Sequence, residues 1–146
     1  MPWSNRIPHR VAEQRHARGL IDTSVIIDLE QIEPAELPLE LAVSAITMAE
    51  LAAGPHETAD PAERARRQDR LQRAEATFEP LPVDADVARA YGRVYAAVAA
   101  SGRKARGRRA VDLLIAATAV AAVLPLYTRN PGDFVGLSDL LDIVAV

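Results

Sequence analysis

Cysteine is absent from this 146-residue chain, and aromatic residues make up only 4% of it. Without cysteine the protein can form neither disulfides nor thiolate metal sites, and it cannot use a cysteine nucleophile. The lack is compatible with a reducing cytoplasm, where we expect the protein to act. Because alanine supplies much of the 49% apolar fraction, we expect a helix-rich core packed from small side chains.

Long uninterrupted apolar runs are also missing. The most apolar stretch, residues 111–126, contains an aspartate, a threonine and a proline, so it is too short and too interrupted to cross a membrane. The first eighteen residues contain four arginines and two histidines but no apolar core, so we do not expect them to form a signal peptide. We therefore expect a polar N-terminal extension over residues 1–18 and one domain over residues 19–146.

Short strands alternate with helices along the chain. The predicted strands cover residues 20–22, 41–44, 125–128 and 142–146. The predicted helices run from a cap at Thr23 or Ser24 to about 29, and over 47–53, 61–78, 84–98 and 109–123. The last of these helices is apolar on nearly every face, which predicts a central, buried position. The expected fold is a three-layer α/β/α arrangement with a short, mainly parallel sheet.

The charge is slightly negative overall but unevenly distributed. A net charge of −3 argues against bulk attraction to nucleic acid. Basic residues are concentrated at 64–73, where a solvated helix face explains them equally well, and at 103–109, which includes a loop predicted to be flexible. Acids in a cleft with basic stretches around it can still bind a polyanion locally.

Four acidic residues stand near the predicted ends of strands and the predicted starts of helices. Asp22 and Asp133 follow strands, and Glu50 and Asp112 lie near helix starts that face the same edge. In parallel sheets, ligands collect beyond the carboxyl ends of the strands. A hard divalent cation such as magnesium needs carboxylate oxygens. As a set, the four acids predict a metal site at this edge.

Each acid also has a purely structural explanation. Asp22 can cap the helix that follows it. The spacing of Thr47 and Glu50 is that of a capping box, which local sequence alone favours. Asp112 can interact with the helix dipole or pair with an arginine before it, and Asp133 lies in an Asn-Pro-Gly-Asp turn. The functional interpretation therefore depends on the whole set.

The segments that carry these acids resemble those of the PIN-domain nucleases, most closely the VapC-type toxins of toxin–antitoxin pairs. In order, they are IDTSV at 21–25, VSAITMAELAAG at 43–54, DLLIAATA at 112–119 and LYTRNPGDF at 126–134. The resemblance extends from about Gly19 to the C-terminus. It implies a PIN-like fold and an endoribonuclease that cleaves RNA phosphodiester bonds, leaving a 5′-phosphate and a 3′-hydroxyl.

The resemblance also implies a role for each site residue. Asp22 and Asp112 would be the firmest ligands of Mg²⁺, for which Mn²⁺ can substitute, while Glu50 and Asp133 would bind through water or complete a second metal position. The polar residues that would orient the carboxylates or contact phosphate are Thr23, Ser24, Thr128 and Asn130. The basic residues expected to follow the RNA backbone are Arg103 and Arg106.

The implied partners are RNA, a small antitoxin that covers the acidic pocket, and a second copy of the chain in a homodimer formed through helices. Two other classes of function stay open. One is a non-catalytic PIN-fold module that binds RNA or protein. The other is a phosphatase with Asp22 as nucleophile, although such enzymes commonly have a second aspartate where this chain has Ser24. Asp28 is expected to face solvent near arginines from elsewhere, so Asp28→Asn is predicted to have little effect.

Overall fold

The computed structural model describes residues 16–103 and 108–146, so Arg106 and most of the predicted N-terminal extension lie outside the described residues. The strands are β1 (Arg18–Ile21), β2 (Glu40–Ala42), β3 (Leu126–Thr128) and β4 (Ile143–Ala145). The α-helices are α1 (Thr23–Ile27), α2 (Ala45–Ala53), α3 (Pro61–Thr77), α4 (Ala85–Ala100) and α5 (Arg108–Ala122). Short 3-10 helices cover Leu29–Gln31, Pro34–Glu36, Gly54–Glu57 and Pro131–Phe134.

The four strands form one sheet in the order β2-β1-β3-β4, and each neighbouring pair is parallel. Leu20 on β1 pairs with Ala42 on one side and with Leu126 on the other. Because all the strands run in the same direction, their carboxyl ends meet at one edge of the sheet. This edge receives the segments that begin at Asp22 and Arg129.

Helices cover both faces of the sheet. Successive strand side chains point to opposite faces, so Leu20 and Leu126 pack in one hydrophobic core while Ile21 and Tyr127 pack in the other. Residues of α4 and α5 complete the first core, and residues of α1, α2 and α3 complete the second. The predicted three-layer α/β/α fold with a short parallel sheet is confirmed.

Helix α5 lies in the centre of the domain, as its apolar sequence predicts, and its residues 115–119 are all buried. It packs against α4, whose stripe of Val87, Val94 and Val98 is buried in the same core. Helix α3 is different, because Ala74 is its one buried residue. In the described part of the chain, no helix is long and apolar enough to span a membrane.

The arginines of α3 are largely held by acids of the same surface. Arg66 and Arg67 both bind Glu63, and Arg73 binds Asp69 and Glu30. These contacts favour the interpretation of the first basic segment as a solvated, ion-paired helix face.

Two predicted helix starts are wrong by a few residues. The Ser44 hydroxyl accepts a hydrogen bond from the Ile46 amide at 3.0 Å, so α2 begins directly after Ser44 and not at Thr47. Thr47 is buried within the helix and cannot cap it. Similarly, α1 is capped by Asp22 and not by Thr23 or Ser24, which confirms the structural explanation given for Asp22, and α1 ends at Ile27 and not near residue 29.

Candidate metal-dependent nuclease site

Asp22 is a buried carboxylate at the carboxyl end of β1, with only 6% of the residue exposed. Its amide donates to the Tyr127 carbonyl at 3.0 Å, which ties the ends of β1 and β3 together. Its Oδ1 accepts from the Val25 amide at 3.2 Å and from the Ser24 hydroxyl at 2.5 Å. Burial raises the pKa of Asp22, and hydrogen bonds from Ser24, Thr128 and the backbone oppose this rise.

Asp22 therefore both caps α1 and presents a carboxylate at the sheet edge. A helix cap needs only one carboxylate oxygen. The two hydroxyl donors, which favour the ionised form of a buried acid, are an addition that capping does not explain.

Glu50 is half-buried on α2 and is held by a residue of α1. The Thr23 hydroxyl lies 2.5 Å from Glu50 Oε1 and 3.1 Å from Thr47 Oγ1. A hydroxyl has one proton, so Thr23 donates to the nearer Glu50 oxygen. The capping-box explanation of Glu50 is thus wrong: its carboxylate faces the start of α1 and not the start of its own helix.

Asp112 is half-buried in the second turn of α5. The pKa of its carboxyl rises from 3.8 to about 6, mainly through burial and then through repulsion by Asp133, Glu50 and Asp22, while Arg109 opposes the rise. Like charges shift a pKa in this way when they are close. The structure therefore brings all four predicted acids into one region.

A buried hydroxyl pair fixes α2 against α5. The Ser44 and Thr118 hydroxyl oxygens are 3.3 Å apart, and the Thr118 hydroxyl donates to the Leu114 carbonyl at 2.9 Å. Because Ser44 also caps α2, this contact connects the helix that carries Glu50 with the helix that carries Asp112.

Asp133 lies in the 3-10 helix that follows β3, and it is exposed. The Thr128 hydroxyl accepts from the Asn130 amide at 2.9 Å, and the Asn130 carbonyl accepts from the Asp133 amide at 3.0 Å. The backbone of Asn130 thus shapes the turn that returns Asp133 to the sheet edge. The predicted contact of the Asn130 side chain with carboxylates or phosphate stays a prediction.

Two arginines bind the backbone of this turn. Arg103 Nη1 donates to the Gly132 carbonyl at 2.8 Å, and Arg109 Nη1 lies 3.3 Å from the Asp133 carbonyl. The sequence predicts RNA contact for Arg103 and, as an alternative, an ion pair with Asp112 for Arg109; it does not predict that either arginine holds the turn. A guanidinium has five N–H donors, so this contact leaves Arg103 with donors for a phosphate.

The donor set suits a hard divalent cation, because all four acids offer oxygen ligands. As these side chains are placed, no three acidic or histidine side chains within residues 16–103 and 108–146 stand close enough to hold one ion together. Mg²⁺ usually takes one or two carboxylates and keeps several waters. The acids therefore fit a cation held directly by one or two of them and reached by the others through water.

Asp28 has a partner that no local pattern predicts. Arg129 Nε lies 3.2 Å from Asp28 Oδ2, with the two side chains 31% and 36% exposed. The expectation of an arginine nearby is confirmed, but Asp28 is half-buried and does not simply face solvent. The two residues are 101 positions apart in the sequence, so periodicity around Asp28 carries no signal for this contact.

Comparison with known proteins identifies the family. Residues 19–134 match the PIN domain model, and the chain therefore belongs to the PIN-domain family, as the sequence resemblance indicates. Ribonuclease VapC5 of Mycobacterium tuberculosis is 40% identical over 124 residues, which are 83% of this chain and 88% of that protein. Ribonuclease VapC8 of the same species is 40% identical over 102 residues, 69% of this chain and 89% of that protein.

Solved structures agree with this assignment. The crystal structure of VapBC-5, a toxin–antitoxin system of Mycobacterium tuberculosis, superposes with a TM-score of 0.78 at 39% identity and covers 89% of this chain and 99% of that chain. FitAcB from Neisseria gonorrhoeae gives a TM-score of 0.63 at 25% identity, covering 85% and 94%. VapBC2 from Rickettsia felis, with a TM-score of 0.69 at 21% identity over 88% and 98%, shares the fold.

Proposed function

We infer that this protein is an endoribonuclease that cleaves RNA phosphodiester bonds and acts as the toxin of a toxin–antitoxin pair. The observation that carries this inference is the convergence of four acids at one sheet edge, where burial, followed by repulsion from the other three acids, raises the pKa of Asp112 to about 6. Its relatives at 40% identity are named ribonucleases. Both lines support a catalytic protein over a non-catalytic module with the same fold.

We further propose that the site binds Mg²⁺, with Mn²⁺ as a substitute. Asp22 and Asp112 would hold the ion, and Glu50 and Asp133 would bind through water or complete a second position. Four ionised carboxylates repel an anionic RNA backbone when no cation is present. A bound divalent cation would supply charge neutralisation and activation of a water nucleophile near neutral pH.

The chain's own residues prepare the carboxylates for this role. The Ser24 and Thr128 hydroxyls donate to Asp22 and favour its ionised form against burial. The Thr23 hydroxyl directs one oxygen of Glu50. Arg109 lowers the pKa of Asp112, although less than burial and the other acids raise it. These contacts keep negatively charged oxygens at the sheet edge. Without a cation, those oxygens would repel an anionic substrate.

Three partners complete the proposal. RNA would approach along the basic segment that contains Arg103 and Arg106, next to the start of α5. A small antitoxin would cover the acidic pocket; the related VapBC-5 structure belongs to such a toxin–antitoxin system. For a homodimer, α3 is a better candidate than the α4 stripe, because that stripe is buried in the core. The chain has no cysteine, which is compatible with action in the cytoplasm.

The test of catalysis uses the isosteric variants Asp22→Asn and Asp112→Asn, with Asp139→Asn at an exposed position as the control. We expect the wild type and the control to cleave an RNA pool with Mg²⁺ and to stop when EDTA is added. Both site variants should keep their circular dichroism spectra and lose cleavage. Full activity in either folded site variant would contradict the assignment, and a wild type that neither binds divalent cations nor cleaves RNA would indicate a binding module.

The test of the RNA track replaces Arg103, Lys104 and Arg106 together by alanine. Phosphate contacts release counterions, so removing them should weaken RNA binding and flatten its dependence on salt concentration. Affinity would be measured with the inactive Asp112→Asn protein, so that the RNA stays intact. Equal affinity with and without the three basic side chains, at both low and high salt, would rule out this track.

A further inference from the structure

A continuous series of contacts leads from Asp28, at the end of α1, back to Asp22 at its start. The Arg129 guanidinium binds Asp28, with Nε and Oδ2 3.2 Å apart. The Arg129 backbone amide donates to the Ser24 hydroxyl oxygen at 3.1 Å. The Ser24 hydroxyl in turn lies 2.5 Å from Asp22 Oδ1. Side chain and backbone of Arg129 thus bind the two ends of the same short helix.

We propose that Asp28 and Arg129 are positioning residues for Asp22, and that their ion pair holds the segment after β3 against α1 so that the Ser24 hydroxyl stays directed at the Asp22 carboxylate. The expected effect of this ion pair on RNA cleavage rests on the proposed nuclease function. Its expected effect on the orientation of the Asp22 carboxylate does not rest on that function.

The direction of the Ser24 proton follows from its partners. A serine hydroxyl has one proton and two lone pairs. Because the Arg129 amide occupies a lone pair of Ser24, the single proton is left for Asp22. If the backbone at Arg129 shifts away, water can replace the amide and the hydroxyl can rotate out of line with Asp22.

A second donor to Asp22 depends on the same segment. Thr128, the residue before Arg129, also gives Asp22 a side-chain hydrogen bond. Thr128 is buried and belongs to β3, whereas Arg129 lies just beyond the strand. The ion pair with Asp28 therefore acts together with the Ser24 hydroxyl, which binds the Arg129 amide, to fix the chain where regular strand pairing ends.

Substitution of Asp28 is expected to reduce metal affinity modestly, and substitution of Ser24 is expected to reduce it more. Half-exposed ion pairs are weak, so removing this one should change metal affinity by about threefold to fivefold. Loss of a group that hydrogen-bonds a ligating carboxylate typically changes it by about tenfold or more. This proposal replaces the sequence-based expectation that Asp28→Asn has little effect.

The experiment compares the full-length variants Asp28→Asn, Arg129→Gln, the double variant of both, and Ser24→Ala. Asp86→Asn is the control, because it removes another aspartate–arginine pair, with Arg89, from the surface of α4. Mn²⁺ alone is the probe for calorimetric affinity, and hydrogen exchange of the Arg129 amide is measured by NMR without metal or RNA.

We expect faster exchange of the Arg129 amide in Asp28→Asn and in Ser24→Ala, and no change in Asp86→Asn. Mn²⁺ affinity should fall about threefold to fivefold in Asp28→Asn and in Arg129→Gln. The double variant should bind Mn²⁺ no more weakly than whichever single variant has the lower affinity, because the two residues act as a unit. Unchanged exchange and unchanged Mn²⁺ affinity in Asp28→Asn would overturn the proposal, as would additive losses in the double variant.

Cleavage kinetics distinguish positioning from substrate binding. Positioning predicts a lower kcat, an unchanged KM and an unchanged salt dependence in both single variants. A raised KM with a flatter salt dependence in Arg129→Gln alone would mean that Arg129 binds phosphate, which contradicts the proposal. If the wild type binds Mn²⁺ and cleaves no RNA, the proposed function fails, while amide exchange and Mn²⁺ affinity still decide the role of Asp28 and Arg129.

Discussion

Replacing Asp112 by asparagine is expected to stabilise the metal-free protein at neutral pH while abolishing RNA cleavage. In the folded protein the pKa of Asp112 rises from 3.8 to about 6, because burial and three nearby acids disfavour its charged form. A rise of this size corresponds to roughly 3 kcal/mol of destabilisation once the group is ionised. Asp112 is only half-buried, so solvent screening reduces the expected gain of the asparagine variant to about 1–2 kcal/mol.

The sign of this effect depends on pH. Below about pH 4 the carboxyl is neutral in the folded protein, and no penalty is present. As the pH rises through about 6, the folded protein must release a proton that it binds more tightly than the unfolded chain does, so the wild type loses stability. The difference between Asp112→Asn and wild type should therefore be small at pH 4 and complete above pH 7.

Thermal unfolding in EDTA at a series of pH values measures this difference. For a domain of this size, about 1–2 kcal/mol raises the Tm by roughly 3–6 °C. Adding Mg²⁺ should stabilise the wild type, by about 1.4 kcal/mol at ten times its Kd, and should leave Asp112→Asn nearly unchanged. Asp139→Asn serves as the control. An Asp112→Asn variant whose stability relative to wild type did not increase between pH 4 and pH 7.5 would refute the argument that burial and the neighbouring acids disfavour the charged form of Asp112.

Three further predictions test individual contacts. Thr23→Val removes the hydroxyl that binds Glu50 and should reduce cleavage about tenfold, whereas Thr23→Ser should retain most activity; equal rates would contradict this. Val123 has φ 55° at the glycine-favouring position directly after α5, so Val123→Gly should stabilise the protein by about 0.5–1 kcal/mol, and a lower urea midpoint would argue against that. A Cβ at Gly19 would lie 2.6 Å from Tyr127 Cε1, so Gly19→Ala should destabilise by about 1–3 kcal/mol in urea unfolding, and an unchanged midpoint would show that the ring can move.

Most elements could be predicted from local sequence, because their signals are local. Asp84 caps α4 through the Val87 amide at 3.0 Å, and Pro61 begins α3 as its missing N–H allows. Prediction failed where two good caps lie close together. Ser44 and Thr47 are both suitable residues, and the end of β2 at Ala42, which decides between them, depends on pairing with β1.

For the candidate site, too, some features could be predicted from local sequence and others could not. The four acids could be selected as candidates because four motifs occur in the order of the PIN-domain pattern, although each motif alone is common. The contacts that orient them were not predicted, because they join residues 27 positions apart for Thr23 and Glu50 and 105 apart for Ser24 and Arg129. No periodicity within one segment carries information about such pairs.

By itself, the sequence determined the alternation of strands and helices and the central helix, because side-chain polarity and propensity act within a few residues. It selected the four acids as candidates through their occurrence as a set and through the resemblance of the segments that carry them. Only the tertiary structure decided that Glu50 accepts a hydrogen bond from Thr23 and that Asp28 binds Arg129. Those outcomes depend on which strands lie side by side and in what register, since a hydrogen bond forms only when parallel pairing brings two distant segments within about 3 Å.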